Sequence, residues 1–78
     1  MRKVTMNLTD RDVENAKFLR EKLKTRSEAQ VVSISLSLTR FIVSEVRKGG
    51  QLLMRDPSGR LDRIVMHELE NIPKEEVA

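Results

Sequence analysis

The chain has 78 residues with no cysteine, one histidine, two aromatic residues and a net charge of +3. A chain this short buries a small core, and without cysteine it has neither disulfides nor thiolate metal sites, so we expect oligomerisation to supply stability. The sequence predicts neither a signal peptide nor a membrane-spanning run, which favours a cytoplasmic location.

Positive charge is concentrated at the amino-terminal end. Residues 1–27 carry eight Lys or Arg against four Asp or Glu, whereas residues 49–78 carry four against six. This asymmetry is compatible with an anionic partner at the amino-terminal end.

The first eight residues alternate between apolar and polar side chains. The apolar side chains share one parity: Val4, Met6 and Leu8. The polar side chains share the other: Lys3, Thr5 and Asn7. Since side chains alternate faces along a strand, this pattern predicts a half-buried β-strand. No partner strand follows nearby, so we expect it to pair with the same strand of a second copy, giving a ribbon that fits the major groove of DNA.

Two helices follow. Thr9 and an acidic first turn predict a helix over residues 10–23. Thr25 and Glu28 match a capping box, and Gly49-Gly50 is a stop signal, so we predict a second helix over 26–48. Residues 33–38 alternate with period two, which locally favours a strand, but no helix breaker interrupts the segment.

The remaining residues differ in character. Asp56-Pro57-Ser58-Gly59 has the composition of a type I turn, and we predict a β-hairpin extension over residues 51–67. The sequence leaves three roles for this hairpin: it covers the end of the second helix, joins neighbouring dimers on DNA, or docks a protein partner. Residues 68–78 are acidic, and we expect a flexible tail.

The order of strand, short helix and long helix, with the turn Thr25-Arg26-Ser27-Glu28-Ala29, resembles the ribbon-helix-helix superfamily of DNA-binding proteins. That family includes the Arc, methionine and CopG-type repressors and many antitoxins. The resemblance covers roughly residues 2–48, so residues 1–50 would form the DNA-binding and dimerisation domain. It implies a mainly α fold with short β elements (α+β), built as an intertwined homodimer. The hairpin departs from the minimal family.

The resemblance also implies roles for individual residues. The outward residues of the strand would read bases: Lys3, Thr5 and Asn7. Lysine can donate hydrogen bonds to guanine O6 and N7, and asparagine can form two hydrogen bonds with adenine. Threonine offers a hydroxyl or a methyl group. Residues beside the ribbon and at the start of the second helix would bind phosphate: Arg2, Thr25, Arg26 and Ser27. The dimer core would contain Val4, Met6, Leu8, Val32, Leu36, Phe41 and Val43.

The function expected from these features is sequence-specific DNA binding, most simply transcriptional repression. One alternative is an antitoxin whose residues 51–78 neutralise a toxin, and another is an architectural DNA-binding protein of low specificity. An enzyme is disfavoured because the sequence has no paired catalytic carboxylates and no glycine-rich phosphate loop. We expect no cofactor and no metal.

Overall fold

The computed structural model describes residues 2–75. It is a small mixed α/β protein with three helices and one two-stranded antiparallel sheet among the described residues. The helices are α1 (Asp10–Leu23), α2 (Glu28–Arg47) and α3 (His67–Glu70), and the strands are β1 (Leu53–Arg55) and β2 (Leu61–Arg63). The chain divides into two compact units, one up to Leu36 and one from Ser37 onward.

Helix α1 has the predicted bounds because its first turn is capped from both sides. The Thr9 hydroxyl accepts a hydrogen bond from the Asp12 backbone N–H at 3.1 Å, and the Asp12 carboxylate accepts one from the Thr9 N–H at 3.2 Å. This is a capping box, which satisfies two otherwise unpaired donors. The helix ends at Lys24, whose φ of 54° lies in the left-handed region.

Helix α2 confirms the helical reading of the ambiguous segment 33–38, but it begins two residues later than predicted. Its carboxyl end is a Schellman motif. The Gly50 N–H donates to the Glu45 carbonyl at 2.9 Å, and the Gly49 N–H donates to the Val46 carbonyl at 2.9 Å. Gly49 has a φ of +98°, and a Cβ at Gly50 would lie 2.9 Å from the Glu45 carbonyl oxygen, so both positions favour glycine.

Helix α2 also has the length and composition of a helix that crosses a membrane, although the sequence predicts no such run. An 18-residue window within it has a mean hydropathy of 1.3, and 11% of that window is buried in the chain. Serine and threonine interrupt its apolar residues without adding charge, which keeps the hydropathy high. Core helices of soluble proteins meet the same criteria.

The predicted hairpin forms, with Leu53 opposite Arg63 and Arg55 opposite Leu61. The Gly59 N–H donates to the Asp56 carbonyl at 3.0 Å, which closes the type I turn. Gly59 follows in the left-handed region with a φ of +92°. A type I turn followed by such a residue is a common hairpin connection.

The segment after the hairpin differs from the flexible tail that the sequence predicts. His67–Glu70 forms α3, and its Glu70 side chain accepts two hydrogen bonds from Arg63, at 2.9 and 3.1 Å. Further on, the Lys74 ammonium group donates to the Val46 carbonyl at 3.1 Å and the Glu75 N–H donates to the Arg47 carbonyl at 2.8 Å. The tail through Glu75 is therefore tied to the end of α2, and residues 76–78 lie outside the described residues.

The core of the single chain is very small. Only Val31 and Val46 are buried apolar residues in the part of the chain that the structure describes, at 3% and 7% exposure. In contrast, fifteen large apolar side chains are exposed there. Exposed apolar surface of this extent is typical of a chain that contacts another protein or a membrane.

Candidate nucleic-acid interface

The amino-terminal segment lies exposed before α1. Residues 2–8 form no strand in the single chain, and none of their backbone groups bonds to another described residue. The side chains of Val4, Met6 and Leu8 are 67%, 54% and 49% exposed. No strand is therefore formed within one chain, and pairing with a second copy is the prediction made from the sequence.

Part of this segment borders an apolar groove in the amino-terminal unit. The groove has a volume of about 350 Å³. Its apolar lining residues are Met6, Leu8, Ala16, Leu19, Val31, Val32 and Leu36. Lys3, Thr5 and Asn7 are exposed and take no part in this lining. This arrangement of side chains follows the period-two alternation of the sequence: Met6 and Leu8 line the groove, and Asn7, which lies between them, does not.

Hydrogen bonds from and to Ser27 and Gln30 cap the start of α2. The Ser27 hydroxyl accepts a hydrogen bond from the Gln30 N–H at 3.1 Å, and the Gln30 side-chain oxygen accepts one from the Arg26 N–H at 2.8 Å. Ser27 is thus the capping residue. The sequence predicts Thr25 instead, and that prediction is wrong.

Thr25 lies before the helix, in the turn that ends α1. Its backbone N–H donates to the Arg20 carbonyl at 3.2 Å, whereas its hydroxyl oxygen is buried and has no hydrogen-bond partner among the described residues. The predicted phosphate contact of Thr25 therefore requires that its hydroxyl oxygen become uncovered.

The backbone amides at the start of α2 differ in whether they are free to bind an anion. The Arg26 N–H is already bonded to Gln30, so it is not available. Ser27, Glu28 and Ala29 have backbone N–H groups with no acceptor among the described residues. Free amides at a helix amino terminus attract anions, because they add to the positive end of the helix dipole.

The basic side chains of the amino-terminal unit differ in whether they are bonded. The Arg20 guanidinium donates to the Arg26 carbonyl at 3.3 Å, which braces the turn between α1 and α2. The side chains of Arg2, Lys3 and Arg26 form no ion pair within residues 2–75. Sequence reasoning missed the roles of Arg20 and Gln30, although the pattern Ser27-x-x-Gln30 was a usable capping signal.

The residues expected in the dimer core are partly or fully uncovered in the single chain. Val32 and Val43 have intermediate exposure. Leu36 and Phe41 are 67% and 63% exposed. Across residues 2–75, no cluster of three or more His, Asp or Glu side chains suits a metal ion.

Comparison with known proteins gives no further identification: no family model, no curated protein and no solved structure matches the chain.

Proposed function

We propose that this protein is a homodimeric, sequence-specific DNA-binding protein, most simply a transcriptional repressor. The two amino-terminal segments pair as an antiparallel ribbon that enters the major groove. The observation that carries the proposal is the state of residues 2–8. Their backbone groups have no hydrogen-bond partner among the described residues, and the apolar side chains of Val4, Met6 and Leu8 are 49–67% exposed.

Pairing with the same segment of a second copy would bond the free backbone groups and cover the exposed apolar side chains at the same time. Strand pairing gives the backbone donors and acceptors partners, and it brings the apolar side chains over a protein interior. Full burial of one such side chain is worth about 1.5–3 kcal/mol. A dimer gains this for each of the three side chains in both chains, less the part already buried.

Pairing also leaves a polar face on the outside of the ribbon. Lys3, Thr5 and Asn7 supply a cation, a hydroxyl and a carboxamide, which suit base edges in the major groove. Arg2, Arg26 and the free amides of residues 27–29 supply the phosphate contacts. Phosphate contacts fix the position of the protein on DNA, and base contacts provide its sequence preference.

The proposal places the protein in the cytoplasm, with the apolar faces of α2 covered by protein rather than lipid. Arg40 lies within the apolar stretch of α2, and an arginine near the centre of a spanning helix costs about 2.5–3.5 kcal/mol on insertion. Fractionation of cells that express the full chain tests this placement. Recovery without detergent supports it, and a requirement for detergent contradicts it.

The antitoxin function is favoured by one observation in the carboxyl-terminal unit. The hairpin has only two strands, so each has an outer edge without a partner among the described residues. An extended segment of a toxin can pair with such an edge. Copurification of an untagged partner with the full chain, lost on Leu53→Pro, would support this function over simple repression. Leu53 is the residue to change because the hydrogen-bonded pairs of the hairpin alternate, which leaves its backbone N–H on the outer edge.

The proposed function is tested by the mass of the free protein together with a salt series of DNA binding. We expect a dimer whose affinity falls steeply with salt and which prefers one upstream DNA to random sequence by about a thousandfold or more. A dimer that binds all DNA alike would support the architectural alternative. A monomer without DNA affinity would overturn the proposal.

A further inference from the structure

The carboxyl-terminal unit contains a second apolar groove, separate from the one beside the amino-terminal segment. Its volume is about 410 Å³. Its apolar lining residues are Ile42, Val43, Leu52, Met66, Leu69 and Ile72, and the polar Thr39 and Glu68 complete the lining. These residues come from α2, the entry and exit of the hairpin, and α3 with the residue beyond it. The extension therefore builds most of this groove.

Next to the groove, α2 carries an exposed apolar ridge formed by Leu38 and Phe41. Their side chains are 58% and 63% exposed. Phe41 and Ile42 are consecutive, so they lie about 100° apart around the helix. One stretch of α2 thus presents an apolar ridge on one side and a wall of an apolar groove on the adjacent side.

We propose that the groove of each chain receives the Leu38–Phe41 ridge of a second copy, so that the carboxyl-terminal extension is part of the dimer interface. A two-fold interface requires a surface that is complementary to itself. The ridge and the groove lie on the same stretch of one helix, so they meet this requirement. A two-fold rotation that places the ridge of one chain in the groove of its partner also places the partner's ridge in the groove of the first chain.

The single chain leaves the apolar side chains of the ridge and groove uncovered. Leu38 and Phe41 on the ridge and Met66 in the groove are 58%, 63% and 49% exposed. Burying such side chains against a second copy removes apolar surface from water, so the contact favours association.

Charge at the edges of the two surfaces is also complementary. Glu68 borders the groove, and Arg40 is the neighbour of Phe41 on α2. Neither side chain has an ion-pair partner within residues 2–75. A second copy seated by its ridge brings an unpaired cation toward an unpaired carboxylate.

This inference rests on the dimer of the proposed function but not on its DNA contacts. The absence of cysteine makes disulfide trapping unambiguous, since every disulfide must come from an introduced pair. Full-length Phe41→Cys chains are mixed with differently tagged Leu69→Cys chains and oxidised mildly. We expect a disulfide between the two chains in most of the material. A mixture of Phe41→Cys with Ser58→Cys is the control, because Ser58 lies in the hairpin turn, away from the groove.

A second measurement does not depend on trapping. Leu38→Asp places a charge on the ridge without touching the lining of the groove, and it should weaken dimerisation at least tenfold. Leu61→Asp is the matched control, since Leu61 is 53% exposed in β2 and outside the groove. Helix content by circular dichroism confirms that both variants fold.

The outcomes separate this inference from the proposed function. A dimer that binds DNA specifically but shows no Phe41→Cys to Leu69→Cys disulfide overturns the inference alone. A dimer that forms the disulfide but has no DNA preference overturns the DNA-binding proposal alone. Equal dimer affinities for Leu38→Asp and Leu61→Asp also contradict the ridge-and-groove contact.

Discussion

Ser27 and Gln30 hold the start of α2 between them. The Ser27 hydroxyl accepts the Gln30 N–H at 3.1 Å, and the Gln30 side chain reaches back to the Arg26 N–H at 2.8 Å. The pair satisfies two donors at the helix end, while the amides of residues 27–29 remain free. The capping bonds and the proposed phosphate contacts therefore share the same turn.

Substitution of Ser27 should destabilise the protein, whereas substitution of Thr25 should not. Ser27→Ala removes the cap, and loss of such a cap costs about 1 kcal/mol per chain. Thr25→Val removes a buried hydroxyl that has no partner while keeping the shape of the side chain, so it should be neutral or stabilising. Urea unfolding at one fixed protein concentration measures both. The reverse order would restore Thr25 as the capping residue.

The wrong assignment of Thr25 as the capping residue of α2 shows the limit of a local sequence pattern. Thr25–Glu28 and Ser27–Gln30 both match the same capping pattern two residues apart, and composition does not separate them. The choice depends on where α1 ends. Because Lys24 enters the left-handed region and the Thr25 N–H bonds back to Arg20, Thr25 still belongs to the end of α1.

Other elements were predictable because clear start, stop and turn signals mark their ends. These signals act through hydrogen bonds between residues that are close in the sequence: Thr9 with Asp12 at the start of α1, the glycine pair after α2 and the turn at Asp56. The order of the tail was not predictable in this way, since it depends on Lys74 contacting Val46, 28 residues earlier. A contact across that distance leaves no local pattern.

Truncation of Asn7 should relax the DNA sequence preference at one base per half-site. Removing a bidentate contact to a base costs about 1–3 kcal/mol. Binding selection on randomised sites compares Asn7→Ala with Asn71→Ala, which makes the same chemical change at the end of α3 in the carboxyl-terminal unit. We expect the preference to change only for Asn7→Ala. An unchanged site after this substitution would remove Asn7 from the base-reading set.

Neutralising Arg26 should weaken binding to every DNA equally. Its side chain forms no ion pair in the described part of the chain and stands beside the free amides of α2. Arg26→Gln should lower the slope of log affinity against log salt by about 1 per chain without altering base preference. Arg55→Gln removes the same charge from β1 and is the control. Equal slopes for the two variants would argue against a phosphate contact at Arg26.

The hairpin turn should weaken in acid through Asp56. Hydrogen bonds from the Ser58 hydroxyl and then from the Arg60 N–H lower the pKa of the Asp56 carboxyl below its ordinary 3.8. The ionised group therefore stabilises the turn above pH 3.8, and this contribution is lost as the pH falls through the lowered pKa. Nuclear magnetic resonance of the Ser58 and Arg60 amides between pH 6 and pH 2 follows the change. Asp56→Asn retains an acceptor oxygen but does not titrate, so an acid transition that survives this substitution would exclude Asp56 as its source.

Residues 74 and 75 should be held on the end of α2 rather than moving freely. The Lys74 ammonium group lies on the Val46 carbonyl, where a cation also favours the negative end of the helix dipole, and the Glu75 N–H bonds to the Arg47 carbonyl. We expect hydrogen exchange at the Glu75 amide to be slower than in an unstructured peptide. Lys74→Met should reduce this protection about two- to fivefold, because the charge contributes about 0.3–1 kcal/mol. Lys48→Met is the control, because the Lys48 ammonium group pairs with the Glu45 carboxylate at 3.6 Å and not with a carbonyl at the end of α2. Exchange of the Glu75 amide at the unstructured rate in the unsubstituted chain would contradict the tether and restore the flexible tail that the sequence predicts.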